Sequence, residues 1–227
     1  MKGLAVAVAV LFVGCATAPH PLSDSVVGAE RLKVAEDLLV NARNVSVKFE
    51  ISSQGENPAD MTGTLHFYEG NSLHLTADGH YRSDQVQLVL DGRDPSGLSR
   101  TLTKGPSASS HRDPPASKLR EAIGLGIARM GLLHNLAQLC LDHPIEKAEG
   151  GFGDYVQLVD VSDGHSDTVR GEACRRIDFK IEVDRRPVGE GSMCVADATG
   201  LPIHRRQVVH FPQGDMTVVE TYAWEVH

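Results

Sequence analysis

Four cysteines and eleven histidines are the residues of this chain best equipped for chemistry, and their spacing decides which chemistry is open to them. His66 and His74 lie symmetrically about Gly70, on the strand faces opposite Leu65, Phe67, Leu73 and Leu75. Two imidazoles facing each other across a hairpin could share a zinc or copper ion. No third ligand falls at a predictable position, although His80 is near in sequence, and two half-polar residues on a solvated sheet face is the simpler reading. His165-Ser166-Asp167 has the residue types of a catalytic triad, but adjacent side chains on an extended loop diverge, and the tripeptide reads as a turn. The Gly-x-Ser-x-Gly elbow is absent, since Gly97 in DPSGLS lacks the second glycine at the required spacing. There is no HExxH, and Gly124-x-Gly126 sits inside an apolar helix rather than a phosphate-cradling loop. A protein that is not an enzyme, with no metal and no cofactor, is the expectation.

Cys15 follows a different logic. The chain opens with one positive charge, Lys2, runs apolar from Leu4 through Val13, and then reads Gly14-Cys15-Ala16-Thr17-Ala18-Pro19. That is the pattern of a secretory signal. It is too short for a spanning helix, which needs roughly 20 apolar residues. Two exits compete. Ala16-Thr17-Ala18 fits ordinary cleavage, but Pro19 would follow the cut. Leu11-Phe12-Val13-Gly14-Cys15 resembles the lipobox of bacterial lipoproteins, with Phe12 where leucine is usual. That resemblance implies a diacylglycerol on Cys15, cleavage before it, and a chain held to the membrane by this lipid. Two or three acyl chains exceed the single-chain limit for stable anchoring. Ala16, rather than aspartate, after the cysteine implies the periplasmic face of the outer membrane if the enterobacterial sorting rule applies. The expected organisation is a signal peptide over 1–14, a lipidated cysteine and tether over 15–25, and one domain over 26–227.

In an oxidising periplasm the remaining cysteines, Cys140, Cys174 and Cys194, allow one disulfide with one thiol left over. None forms a CxxC pair. Ile177, Phe179, Ile181 and Val183 define one strand face, with Met193 and Val195 on the corresponding one, so Cys174 and Cys194 share the other face. A turn near Pro187 would pair Cys174 closer to residue 200, so this bridge needs a bulge or a longer turn, and the pairing stays open. Cys140, near the end of an apolar helix, reads as a buried free thiol.

The formal charge of −8 argues against nucleic acid or an anionic membrane surface as partner, because both reward basic patches. Aromatic residues make up only 5% of the chain, too few for a platform that stacks bases or sugars.

Elements follow from periodicity. Leu32, Ala35, Leu39 and Ala42 share one face of a helix over about 26–42, with Arg31, Lys33, Glu36 and Asp37 largely outside it. Val45, Val47, Phe49 and Ile51 then alternate with polar residues as a half-buried strand. Leu65 and Phe67 turn back into Leu73 and Leu75 around Glu69-Gly70-Asn71. A further strand carries Val86, Leu88 and Leu90, and a short one lies near 99–103. Residues 104–116 (KGPSASSHRDPPA) read as loop. From 117 to 141 the chain is helical and markedly apolar, with Gly124, Gly126 and Gly131 making it weak or broken in two. Strands resume over 155–161, 174–183, 191–197, 203–211 and 216–226.

This order resembles the LolA/LolB superfamily of periplasmic lipoprotein carriers and their outer-membrane receptor. The echoes are VSVKFEISSQG followed by Gly63-Thr64-Leu65, the run TYAWEV near the end, and Asp197, Thr199, Gly200, Leu201, Pro202 and Arg205 in a D-x-x-T-G-L-P-x-x-R segment. The resemblance implies an α+β fold: a curved antiparallel sheet, an incomplete β-barrel, whose concave apolar face is covered by helices and encloses space for acyl chains. Candidate cavity residues are Val47, Phe49, Leu65, Phe67, Leu88, Leu90, Ile123, Ile127, Met130 and Leu133. An acyl lipid or lipoprotein would be the ligand. A filled core, serving as a structural or protein-interaction module of the envelope, is the alternative. The carrier family's cavity arginine aligns with no particular position. Arg129, in the lid, either bonds a strand carbonyl or, more simply, snorkels into solvent.

Overall fold

A computed structural model describes residues 27–41, 43–93, 97–113, 118–140 and 155–226. The signal segment, Cys15, the tether and Ala42 lie outside the described residues, as do the loop around 149–153 and the side chain of Cys140.

The meander begins after helix α1 (Gly28–Asn41) with β1 (Val45–Gly55), β2 (Ala59–Phe67), β3 (Leu73–Tyr81), β4 (Asp84–Arg93), β5 (Gly97–Lys104) and β6 (Ser107–Asp113). Two lid helices follow, α2 (Leu119–Arg129) and α3 (Leu132–Cys140). A second meander completes the fold: β7 (Val156–Val169), β8 (Glu172–Val183), β9 (Arg186–Ala196), β10 (Pro202–Phe211) and β11 (Gly214–Val226). These strands form one antiparallel sheet in the order β6-β5-β4-β3-β2-β1-β11-β10-β9-β8-β7. The sheet is not closed, so the expected α+β class with a curved, incomplete barrel is the architecture found.

Strand alternation sets which face is greasy. Val47 pairs with Leu65, Leu65 with Leu75 and Leu75 with Leu90, giving a row of apolar side chains across four strands. The neighbouring row runs Phe49, Gly63, Ala77, Leu88 and Leu102. Lys48, Glu50 and Thr62, between these positions, face solvent on the convex side. The hairpin register places Leu65 on Leu75 and His66 on His74, as the symmetric spacing about Gly70 requires.

Three expectations fail at the sheet margins. The stretch expected as loop over 104–116 contains β6, paired with β5 in an unbroken register from Leu98–Asp113 to Lys104–Ser107. SASSHRD has one small apolar residue, Ala108, and so no alternation, and main-chain bonding to β5 defines it as a strand. His165-Ser166-Asp167 is not a turn but part of β7, which extends through Val169. Two register shifts, between Val159 and Ser162 and between Asp163 and Ser166, scramble the period-2 signal of that strand. The turn placed near Pro187 falls at Asp184 and Arg185, both at positive φ, so β9 begins five residues earlier than expected.

That earlier turn, with a register shift at Ile181/Glu182, sets Cys174 opposite Ala196 and Arg176 opposite Cys194. Cys174 and Cys194 are therefore diagonal neighbours, and they are bonded, with Cα atoms 5.6 Å apart. Together with Ala196 and Ile203 they form a small buried cluster against which Val169 and Trp224 pack. Reduction is expected to lower stability by roughly 2–4 kcal/mol. Thermal melts with and without reductant check this, and an unchanged melting temperature would show that the bridge contributes nothing.

Candidate functional site

The two lid helices lie over the concave face. Val47, Phe49, Leu65, Phe67, Leu88 and Leu90 from the sheet meet Ile123, Ile127 and Leu133 from the lid in one cluster. Met130 belongs instead to an adjoining cluster with Leu32, Ile177, Phe179, Ile181 and Met193. None of these ten candidate residues is more than 6% exposed. The structure therefore gathers nine of the candidates under the lid and sets the tenth at its border. Leu132, Leu136 and Leu139 belong to the same main cluster and complete the apolar side of α3.

Where the lid breaks, the concave face stops being apolar. Met130 and Gly131 separate α2 from α3, and Gly131 takes φ +81°, a conformation that side-chain-bearing residues seldom adopt. A Cβ there would also come within 2.6 Å of the Glu220 carboxylate. The break leaves the last carbonyls of α2 and the first N–H groups of α3 without helical partners. The sheet supplies them. Arg205, fully buried, donates to the carbonyl of Ala128 at 2.8 Å and to that of Arg129 at 2.6 Å. Gln207, two residues along the same strand, donates to the Met130 carbonyl at 2.7 Å and accepts from Arg205 Nε at 2.8 Å.

Glu220, also fully buried, accepts from the N–H of Leu132 at 2.9 Å and of Leu133 at 2.7 Å, and from the Tyr222 hydroxyl. Arg205 and Glu220 are direct cross-strand partners on β10 and β11. One cation therefore caps the C-terminal end of α2 and one carboxyl caps the N-terminal end of α3, each in the sense that a helix dipole favours. The Arg205 guanidinium also lies over the Phe179 ring, 4.7 Å from its centroid. Burial lowers the Arg205 pKa, opposed by Glu220 and Tyr222.

Further arginines tie down the rest of the lid. Arg120, in the first turn of α2, donates to the carbonyls of Val40, Tyr68 and Gly70, so it joins the end of α1 to the β2–β3 turn. Its backbone N–H is capped by Asn71 Oδ1 at 3.0 Å. Arg100, on the concave face of β5, reaches the Leu139 carbonyl near the end of α3 at 3.4 Å. Arg129 does not snorkel into solvent. It donates to the Val156 carbonyl at 2.9 Å, the other of its two readings, and to both Glu36 oxygens at 2.6 and 3.0 Å. Arg31 corrects the helical-wheel reading of α1: it is fully buried, with a guanidinium nitrogen 3.7 Å from Asp197. The helix packs against the lid on one side and the second meander on the other, so a residue off its apolar stripe is still enclosed.

The other motifs resolve into surface structure. His66 and His74 are cross-strand neighbours, and His74 Nδ1 stands 3.8 Å from Asp91, whose carboxylate accepts from Arg93. Among the described residues no group of three or more His, Cys, Asp or Glu side chains is placed to hold a metal ion. Asp197, Thr199 and Gly200 form the turn before β10: the Leu201 N–H bonds Thr199 Oγ1 at 3.3 Å, and Gly200 has φ +72°. That turn starts the strand on which Arg205 sits.

No family model matches the chain, and no curated protein does. Among solved structures, the chain is similar to the MucA/MucB complex of Pseudomonas aeruginosa, with TM-score 0.43 and 10% identity over 87% of this chain and 56% of that one. The chain thus spans little more than half the length of that relative. It is similar to a LolA superfamily protein from Nitrosomonas europaea, with TM-score 0.32 and 9% identity over 89% of this chain and 94% of that one. An outer membrane lipoprotein-sorting protein domain from Vibrio parahaemolyticus is similar with TM-score 0.32 and 7% identity, over 86% of this chain and 91% of that one.

Proposed function

We propose that the protein binds acyl chains between its concave face and the lid helices, on the periplasmic side of a bacterial envelope, held there by a lipid on Cys15. The observation that carries this reading is the way the lid is attached. The apolar side of α3 is built on Leu132, Leu133, Leu136 and Leu139, side chains that an alkyl chain can replace with little loss because dispersion and burial are non-directional. Polar ties hold its two ends, at Glu220 and Arg100. Lifting α3 would uncover the rows of apolar side chains that run from β1 toward β5.

The close packing of the candidate residues favours a second reading, in which the core stays filled and the domain acts as an interaction module of the envelope. One experiment separates the two. Residues 16–227, exported without Cys15 and purified without detergent, would be extracted for lipid mass spectrometry and titrated with a fluorescent fatty acid. Acyl lipid near one per protein, displaced by the probe, is the expected result. An empty protein that ignores the probe would overturn the acyl reading and leave the filled module. The mass of the full-length mature chain reads the anchor in the same preparation series: acyl mass on Cys15 is expected, and an unmodified chain cut after Ala18 would refute it.

A further inference from the structure

The acyl-binding reading uses the lid as a cover and assigns no role to the ionisable carboxyl buried beneath it. We propose that lifting α3 is coupled to the release of a proton from Glu220, so that acid holds the lid shut and rising pH favours its opening and the uptake of ligand.

Glu220 is fully buried, and its partners are the N–H groups of Leu132 and Leu133 on α3 and the Tyr222 hydroxyl on β11. From β10 it faces Arg205, whose donors are committed to Gln207 and to the carbonyls of Ala128 and Arg129. From β1 it faces Ile51. The nearest titratable side chain on α3 is His134, and Arg129 at the end of α2 is engaged with Glu36. Among the described residues the carboxylate forms no ion pair; its charge is met by these donors and by the nearby Arg205 charge.

The two carboxyl oxygens are differently placed. Oε1 accepts from Leu133, and Oε2 meets the Tyr222 hydroxyl as well as Leu132. A protonated carboxyl keeps this closed arrangement. Its oxygens still accept from Leu132, Leu133 and the Tyr222 hydroxyl, more weakly than the carboxylate does. The closed lid thus tolerates both protonation states, and burial decides between them. Burial pushes the Glu220 pKa up, and the bonds from Tyr222, Leu133 and Leu132 with the Arg205 charge pull it down, the upward push being the larger. With α3 lifted, the same carboxyl faces water and returns toward the ordinary value of 4.5.

The sign of the coupling follows. The closed state binds the proton more tightly than the open one, so closure is strongest at acid pH and weakens as pH rises above 4.5 through the raised value. His134 acts in the opposite sense. Burial lowers its pKa from 6.5, so its protonation in acid opposes closure. Comparison of the wild type with Glu220→Gln isolates the carboxyl, because both carry His134.

The proposal rests on the acyl-binding reading only for its effect on ligand. Hydrogen exchange of the α3 amides in ligand-free protein, corrected for intrinsic rates, tests the coupling by itself. Wild-type protection over Leu132–Leu139, relative to Glu220→Gln, is expected to rise as pH falls from 8 to 5, by up to about tenfold per pH unit. Identical pH profiles for the two proteins would overturn the proposal. Should Glu220→Gln fail to fold, Tyr222→Phe takes its place: it removes a bond that lowers the carboxyl pKa, so the profile's midpoint should move upward, and an unmoved midpoint would also overturn it. A neutral pyrene-labelled acyl methyl ester, which carries no titrating group, is expected to bind the wild type more tightly as pH rises. If the exchange profile is as described but the ester binds at no pH, the acyl reading fails and the proton coupling stands.

Discussion

Replacement of Arg205 by leucine is expected to detach the lid and to destabilise the domain by about 3–5 kcal/mol, the range found when one member of a buried charge network is removed. Leucine nearly fills the volume but gives nothing back to the carbonyls of Ala128 and Arg129, which lose their donors inside the protein. Glu220 stays behind on the neighbouring strand without the nearby positive charge. Lysine should rescue little. A single ammonium does not span two carbonyls and the Gln207 oxygen as the planar guanidinium does, nor lie flat over Phe179. Urea unfolding measures the loss, and hydrogen exchange over α2 and α3 locates it. Loss spread evenly over the sheet would mean that Arg205 supports the fold at large rather than the lid.

Phe49→Ala is expected to cost a similar amount, about 3–5 kcal/mol, through lost burial and an unfilled cavity. The ring sits where β1 crosses the centre of the concave face, and its cross-strand neighbour toward β2 is Gly63. A Cβ on Gly63 would lie 2.4 Å from the Phe49 ring and 2.0 Å from the Thr76 carbonyl. The ring therefore fills the space that the glycine leaves open. Gly63→Ala does not repair Phe49→Ala, because the clash with the backbone oxygen remains when the ring is gone. Denaturation of the two single variants and the double variant tests this: the double should be no more stable than Phe49→Ala. A double variant that recovers stability would show that the Thr76 strand yields easily and that ring size alone governs the site.

The first meander was legible in the sequence because its strands alternate cleanly. Lys48 and Glu50 between Val47, Phe49 and Ile51 leave one choice of face, and Glu69-Gly70-Asn71 leaves one register. The lid was legible as an excess of apolar residues broken by glycines. The strands on either side of the lid are harder to read. β7 hides its period behind two bulges, and β6, the last strand of the first meander, carries only Ala108 as an apolar residue. Its one local sign was the turn at Lys104-Gly105-Pro106 between two runs of small polar residues.

The polar seat of the lid escaped for a different reason. Arg205 and Glu220 face each other across the β10–β11 hairpin, but the helix ends they cap lie far away in sequence, and nothing local joins the hairpin to them. A signal was nonetheless present. Arg205 and Gln207 share strand parity with Val209, and Glu220 shares it with Met216, Val218 and Tyr222, so charged groups stand at positions that point toward the core. A buried charge needs partners, and the helix ends created by Gly131 are the nearest groups with bonds to make.

The seam between β1 and β11 has a consequence for how the molecule is made. Each meander is built from hairpins between consecutive strands, but within the sheet the two halves join along one seam, whose register runs from Val45–Val226 to Gly55–Met216. Closing that seam brings together opposite ends of the described chain, the slowest kind of contact to form because so much chain entropy is spent before any bond is gained. A chain that emerges with its N-terminus first therefore exposes the open edge of β1 until β11 has followed. Through that interval β1 is a strand with a greasy face and an unpaired edge, the combination most prone to wrong partners. Protection of the nascent chain matters most for this stretch, since its first strand waits for its last.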